Sequence, residues 1–288
     1  MIVYVKLALT AFIWGGTFIA GRIVVQSMEP FSVAFCRFAI ASLCLLLFTH
    51  KEGSLPKLKP QQILQVVLLG LTGVFAYNAF FFLGLKTITA SRAALIVALN
   101  PVFIALCSAV VFKEKLTPLK LTGILTSLLG ATVVISKGNL LNFLAGNLGW
   151  GEVFLLGCVF SWVAYTLIGK LAMKELSPLA ASTYACVIGA IALFFPAWME
   201  GLAQNFGQIS LTAWLAVLYL GFLGSAVGFN WYYEGVQAIG AAKASVFINL
   251  VPVSAILLAA ILLNEQLTST LLLGGALVVI GVFFTNRG

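Results

Sequence analysis

Apolar residues run along this chain in long unbroken stretches, separated by short clusters of Lys, Glu, Pro, Gly and Asn. A helix that crosses a bilayer needs ~20 predominantly apolar residues. Reading between the charges and turn residues predicts ten such helices. They cover about residues 4–25, 30–48, 62–84, 90–112, 118–136, 150–171, 178–198, 212–235, 241–263 and 269–285. The stretches are continuous rather than alternating, and about twice the length of a barrel strand, so the pattern is not that of transmembrane β-structure. The connections are too short to fold as separate domains. The first helix lacks the small-residue cleavage site of a signal peptide and is expected to belong to the fold.

Composition sharpens this picture. Hydrophobic residues make up 62% of the chain and charged residues 8%, with eight Glu and no Asp. A soluble domain carries roughly 25% charged residues. The expected fold class is an all-α integral membrane protein. The five cysteines (Cys36, Cys44, Cys107, Cys158 and Cys186) fall inside predicted spans without metal-ligand spacing, and read as small apolar packing residues. No metal or other cofactor is expected. The chain has no Walker loop and no nucleophile set beside a base, so neither an enzyme nor a single-chain ATP-driven pump is expected.

The chain repeats itself. Residues 70–133 align with 221–284 without a gap at an offset of 151, matching Gly70, Gly73 and Gly84 with Gly221, Gly224 and Gly235. Pro101 then matches Pro252, Glu114-x-Leu116-Thr117 matches Glu265-x-Leu267-Thr268, and Gly123 and Gly130 match Gly274 and Gly281. Earlier helices align at an offset of 148: Trp14 with Trp162, Gly21 with Gly169, Arg22 with Lys170, Pro30 with Pro178. The predicted organisation is a five-helix repeat over 1–136, a linker over 137–149 and a second five-helix repeat over 150–288.

Five is odd, so the second repeat is expected to enter the membrane in the opposite sense, an inverted repeat of the kind found in secondary transporters. Cytoplasmic loops collect Lys and Arg. With the N-terminus inside, the inner loops hold Lys51, Lys57, Lys59, Lys113, Lys115, Lys120, Lys170, Lys174 and Lys243, and the outer side only Arg22, Lys86, Arg92 and Lys137. FKEKLTPLK (112–120) is then cytoplasmic, and its lysine-free counterpart LNEQLTSTL (263–271) external. The net charge of +8 is a topology signal rather than a footprint for nucleic acid.

These features resemble the EamA family of the drug/metabolite transporter superfamily. The resemblance spans the chain and rests on Trp14 and Trp162, on the segment PFSVAFCRF, and on Glu-x-Leu-Thr followed by paired glycines in each half. It implies ten helices, a central cavity between the halves and both termini in the cytoplasm. Many members export amino acids, other metabolites or toxic compounds, some import, and related branches exchange nucleotide sugars or phosphorylated sugars.

Candidate site residues are the polar and aromatic groups within spans. Arg37 sits seven residues past Pro30, and its counterpart in the second half is Ala185. A charge within a span usually faces a cavity or a partner, although snorkelling to the headgroups and a cap on neighbouring carbonyls are open alternatives. Trp14 and Trp162 lie mid-helix, unlike interfacial tryptophans, with Tyr165 nearby; they read as the wall of a site or as packing. Tyr77, Asn78, Asn100, Asn230, Tyr233 and Asn249 complete the set, and each buried amide needs a partner. Arg92 and Lys243 are equivalent and start helices four and nine, where positive charge opposes the dipole. They are candidate gates, favoured by lipid phosphate or a substrate anion, with Glu234 placed to pair with Lys243. Glu114 and Glu265 are expected to accept bonds from the amides that start the following helix. The paired glycines of helices five and ten are expected to allow close helix contact.

The expected function is a secondary transporter for small metabolites, amino acids or drugs among them, exporting across the inner membrane by alternating access. The rival readings are an importer of the same fold and a passive membrane protein such as a lipid scramblase or receptor component. The expected partners are a small-molecule substrate and membrane lipid, with the chain a monomer or weak homo-oligomer.

Overall fold

The computed structural model describes residues 2–52, 55–112, 117–136, 149–239 and 246–287. Among the described residues every regular element is helical. In chain order the α-helices of eight residues or more are α1 (Ile2–Val24), α2 (Pro30–Glu52), α3 (Pro60–Leu69), α4 (Tyr77–Thr87), α5 (Ala90–Val97), α6 (Asn100–Phe112), α7 (Pro118–Ile135), α8 (Trp150–Ala172), α9 (Pro178–Met199), α10 (Leu211–Leu218), α11 (Gly228–Ile239), α12 (Leu250–Leu262) and α13 (Ser269–Arg287). Each predicted stretch falls on helix, the ninth from Val246 onward. Seven helical stretches are long and apolar enough to cross a membrane, and Pro118–Val134, Leu250–Leu262 and Ser269–Thr285 are shorter apolar helices.

Helix starts follow the local chemistry. Thr89, Thr117, Ser177 and Ser210 each accept a bond from a first-turn amide of the helix that follows, the role for which an N-cap hydroxyl is suited. Proline opens α2, α3, α7 and α9, where its missing N–H goes unused.

Four predicted spans are not uniform α-helix. A π-helical segment, Gly70–Ala76, joins α3 to α4, and another, Tyr219–Val227, joins α10 to α11. The fourth span breaks at Ala98 and Leu99, just ahead of Pro101, which cannot donate to an upstream carbonyl and clashes with it. The helix of the ninth span opens with a 3-10 turn, Val246–Asn249, before Pro252.

The two π segments sit in the bundle core and their glycines set the packing. A Cβ at Gly70 would stand 3.0 Å from the carbonyl oxygen of Ala185 and 3.0 Å from Ile188; one at Gly221 would stand 2.8 Å from that of Arg37 and 2.8 Å from Ile40. A Cβ at Gly73 would enter the Tyr165 ring at 2.2 Å, and one at Gly224 would meet Thr17 at 2.8 Å. These contacts are the same pairs with the repeat partners exchanged. α7 and α13 pack on each other in the same way: Gly123 lies on Gly281 and Thr285, Gly130 on Gly274 and Val278. Ser127 Oγ donates to the Val278 carbonyl at 3.2 Å.

Large apolar side chains also cover the outside, among them Val110, Leu43, Ile191 and Ile261. An outer surface so rich in large apolar side chains suits lipid rather than water. The protein is a multi-pass membrane protein.

Candidate functional site

Arg37 projects from the second turn of α2 into the core and is 5% exposed. Its Nε donates to Ser225 Oγ at 2.9 Å and its Nη1 to Asn78 Oδ1 at 3.0 Å. Both acceptors are neutral and fully buried. Among the described residues no carboxylate forms an ion pair with the guanidinium. A buried cation is ordinarily paired.

Asn78 and Ser225 each serve a π segment. Asn78 Nδ2 donates to the carbonyls of Val74 at 2.9 Å and Gly73 at 3.4 Å. Ser225 Oγ donates to Leu220 O at 3.0 Å. The Gly224 carbonyl is taken by Trp14 Nε1 at 2.9 Å. A π-helical turn presents its carbonyls at irregular angles, and here side chains satisfy them.

The aromatic candidates meet at the same place. Trp14 packs edge-on against Phe229, with ring centres 6.0 Å apart, and against Tyr232 at 5.3 Å. Trp162 lies 6.3 Å from Phe229, 5.1 Å from Tyr77 and 5.1 Å from Tyr165. Phe229 therefore stands between the two tryptophans. Tyr165 and Phe229 are buried, while Trp14, Tyr77, Trp162 and Tyr232 are half-buried.

The cluster is lopsided in a definite way. At the repeat offsets, the partners of Arg37 and Asn78 are Ala185 and Phe229. One pole of the cluster carries a guanidinium and an amide; the other carries a methyl group and a phenyl ring. Tyr77, beside Trp162, corresponds to Gly228, against which Trp14 lies.

The remaining candidates lie elsewhere. Asn230 donates to Glu234 Oε1 at 3.0 Å, and Glu234 Oε2 takes Lys6 at 2.5 Å. The partner of Glu234 is thus Lys6 of α1; Lys243, expected to pair with it, lies outside the described residues, as do the side chains of Tyr233 and Asn249. Asn100 is buried at the break before α6, and its Oδ1 has no hydrogen-bond partner among the described residues. Arg92 forms an ion pair with Glu152 at 2.7 Å, the two side chains 13% and 5% exposed. That carboxylate, from the first turn of α8, is what favours a cation near the start of α5.

Glu265 corrects the expectation for the turn glutamates. Glu265 accepts from the amides of Ala90 at 2.8 Å and Ser91 at 3.1 Å. It caps α5, not the helix that follows it, because the turn after α12 lies beside the start of α5. Glu200 caps α2 likewise, taking Phe31 N, Ser32 N and Ser32 Oγ at 3.2, 2.7 and 3.0 Å. Glu114 lies outside the described residues. A pocket of about 380 Å³ opens beside Glu200, Glu29, Lys86 and Asn205, but Glu200 is already engaged and Glu29 pairs with Lys86 at 2.7 Å.

Ser225, Phe229 and Tyr232 were absent from the sequence-derived set. Ser225 and Phe229 match Val74 and Asn78 in the first half, and that exchange of polar for apolar was the one signal that pointed to them.

The model of the EamA-like transporter family matches residues 1–136 and 149–287. An uncharacterized transporter of Archaeoglobus fulgidus is 32% identical over 285 residues, covering 98% of this chain and 96% of its own. The uncharacterized transporter YyaM of Bacillus subtilis is 29% identical over 97% of this chain and 92% of its own. A probable terminal-alkyne amino-acid exporter of Streptantibioticus cattleyicolor is 28% identical over 98% and 92%. A crystal structure of another protein aligns with a TM-score of 0.68 at 20% identity, covering 98% of this chain and 97% of that one; at that identity the likeness is one of fold.

Proposed function

The chain belongs to the EamA-like transporter family, whose members are transporters and not enzymes, and from that premise we propose that it is a secondary exporter of small amphipathic carboxylates, amino acids among them. It sits in the cytoplasmic membrane with both termini inside. Two inverted five-helix halves rock about the cluster formed by Arg37, Asn78, Tyr77, Trp14, Trp162 and Phe229. The reciprocal glycine contacts support that arrangement, since each half returns to the other what it receives. The ion pair of Arg92 with Glu152 is a gate on the external side, joining the halves at the start of α5 and α8.

The observation that carries the substrate class is the two-pole cluster. A buried guanidinium with no acidic partner among the described residues suits a carboxylate through a charge-assisted bond. The rings around Phe229 suit the apolar remainder. The amino-acid exporter among the relatives supports export of such a compound.

The test is counterflow. Purified protein in liposomes preloaded with unlabelled amino acids takes up the labelled compound against its gradient, while Arg37→Gln liposomes do not. Trp162→Ala weakens apparent affinity more for aromatic than for small substrates. Transport of decarboxylated amines at the rate of the amino acids would refute the carboxylate reading, and ligand-independent leak would refute the transporter reading.

A further inference from the structure

One hydrogen-bonded line crosses the bundle at its centre. It starts at the Val74 carbonyl in the first π segment, passes through Asn78 and Arg37 to Ser225, and ends at the Leu220 carbonyl in the second. All three side chains are at most 5% exposed. Arg37, carried on α2, links the two irregular segments along this line. The same α2 turn packs its backbone against Gly221 of the second segment.

π-helical segments are frequent at functional sites and are where helices kink. The line therefore ties together the two places at which the long spans bend. Its acceptors are weak for a cation, because an amide and a hydroxyl carry no charge. A carboxylate offers a stronger and shorter bond, so a ligand carboxylate reaching the guanidinium outcompetes both.

Resting on the reading above, we propose that Asn78 and Ser225 are positioning residues which make Arg37 a strut between the two π segments, and that a carboxylate substrate releases the segments by taking the guanidinium from them. The differential interaction that any ligand-driven change of state requires is then located at three atoms. With substrate, Arg37 is held by the ligand and the π segments are free to re-pack; without it, the neutral acceptors close the strut again.

Hydrogen exchange of the purified protein in lipid nanodiscs tests this in two arms. In the ligand-free arm, Arg37→Gln speeds backbone exchange in 70–78 and in 219–229 together, at least tenfold in each. Asn78→Asp gives the guanidinium a permanent carboxylate but loses the amide donor to the Val74 and Gly73 carbonyls, so it speeds exchange in 70–78 and leaves 219–229 within about twofold. In the ligand arm, a mixture of amino acids speeds exchange in both segments, the matching mixture of amino-acid amides does not, and Asn78→Asp raises the half-effective amino-acid concentration at least tenfold. Unchanged or one-sided exchange in Arg37→Gln overturns the strut. Equal effects of acids and amides, or none from either, overturn release by a carboxylate while leaving the strut. Asn78→Asp keeps the test decisive should Arg37→Gln fail to fold. Counterflow is measured separately, so loss of transport activity and loss of the strut are told apart.

Discussion

Replacing Gly281 and Gly275 of α13 by alanine gives a pair of variants that isolates helix contact from helix propensity. Ala gains about 0.8–1.0 kcal/mol over Gly in a helix interior, and that gain is common to both. At Gly275 the new methyl group meets Leu95 at 3.4 Å, an ordinary contact. At Gly281 it stands 2.4 Å from the backbone nitrogen and the hydroxyl of Ser127 and 2.6 Å from the Gly123 carbonyl. Backbone atoms cannot rotate away, so α7 and α13 must part by about 1 Å, a gap that forfeits a quarter to a half of each dispersion contact along the seam. Overpacking of this kind costs about 1–3 kcal/mol. At ~2–4 °C per kcal/mol for a chain of this size class, Gly281→Ala melts roughly 2–12 °C below Gly275→Ala in detergent. Ligand affinity of the folded fraction is unchanged, because neither helix contributes to the Arg37 cluster. Equal melting temperatures would refute the seam, and altered affinity with intact stability would place α13 at the site.

Other expectations follow from the ends of the bundle. Glu265→Ala removes the cap on Ala90 and Ser91 and lowers stability by about 0.5–2 kcal/mol, read as a fall in melting temperature. Arg92→Leu strands a buried carboxylate at a cost of about 3–5 kcal/mol, seen as poor expression, and adding Glu152→Leu restores much of the yield. In a cysteine-free background, a cysteine at Gln266 reacts with an impermeant maleimide from outside the cell, whereas one at Lys57 reacts only after permeabilisation; the reverse pattern would overturn the proposed orientation.

Much of this molecule was legible from its sequence. Lipid demands long apolar helices, so the helical stretches could be read from hydropathy alone, seven of them long and apolar enough to cross a membrane, and the tight glycine seam of α7 and α13 from a spacing of seven. Arg37, Asn78, Tyr77, Trp14, Trp162 and Tyr165 come together as a mid-span cluster of unusual residues should. What the sequence could not convey is pairing across the chain. Glu265 looked like a cap for the helix after it, because sequence reveals neighbours along the chain and not across the bundle. Arg92 seemed to need an external anion until Glu152 was found beside it. The π segments carry no periodicity of their own: one inserted residue in a uniformly apolar span leaves the hydropathy unaltered.

The carboxylates that cap α2 and α5 have a consequence for how the protein is made. Ser32 leaves the ribosome 168 residues before Glu200, and Ala90 leaves 175 residues before Glu265. During that interval the first amides of both helices have no acidic partner, and water or lipid headgroups must serve them. The first half therefore enters the membrane as an unfinished object, completed only when the second half arrives. Two halves synthesised as separate polypeptides should need each other to escape quality-control proteolysis.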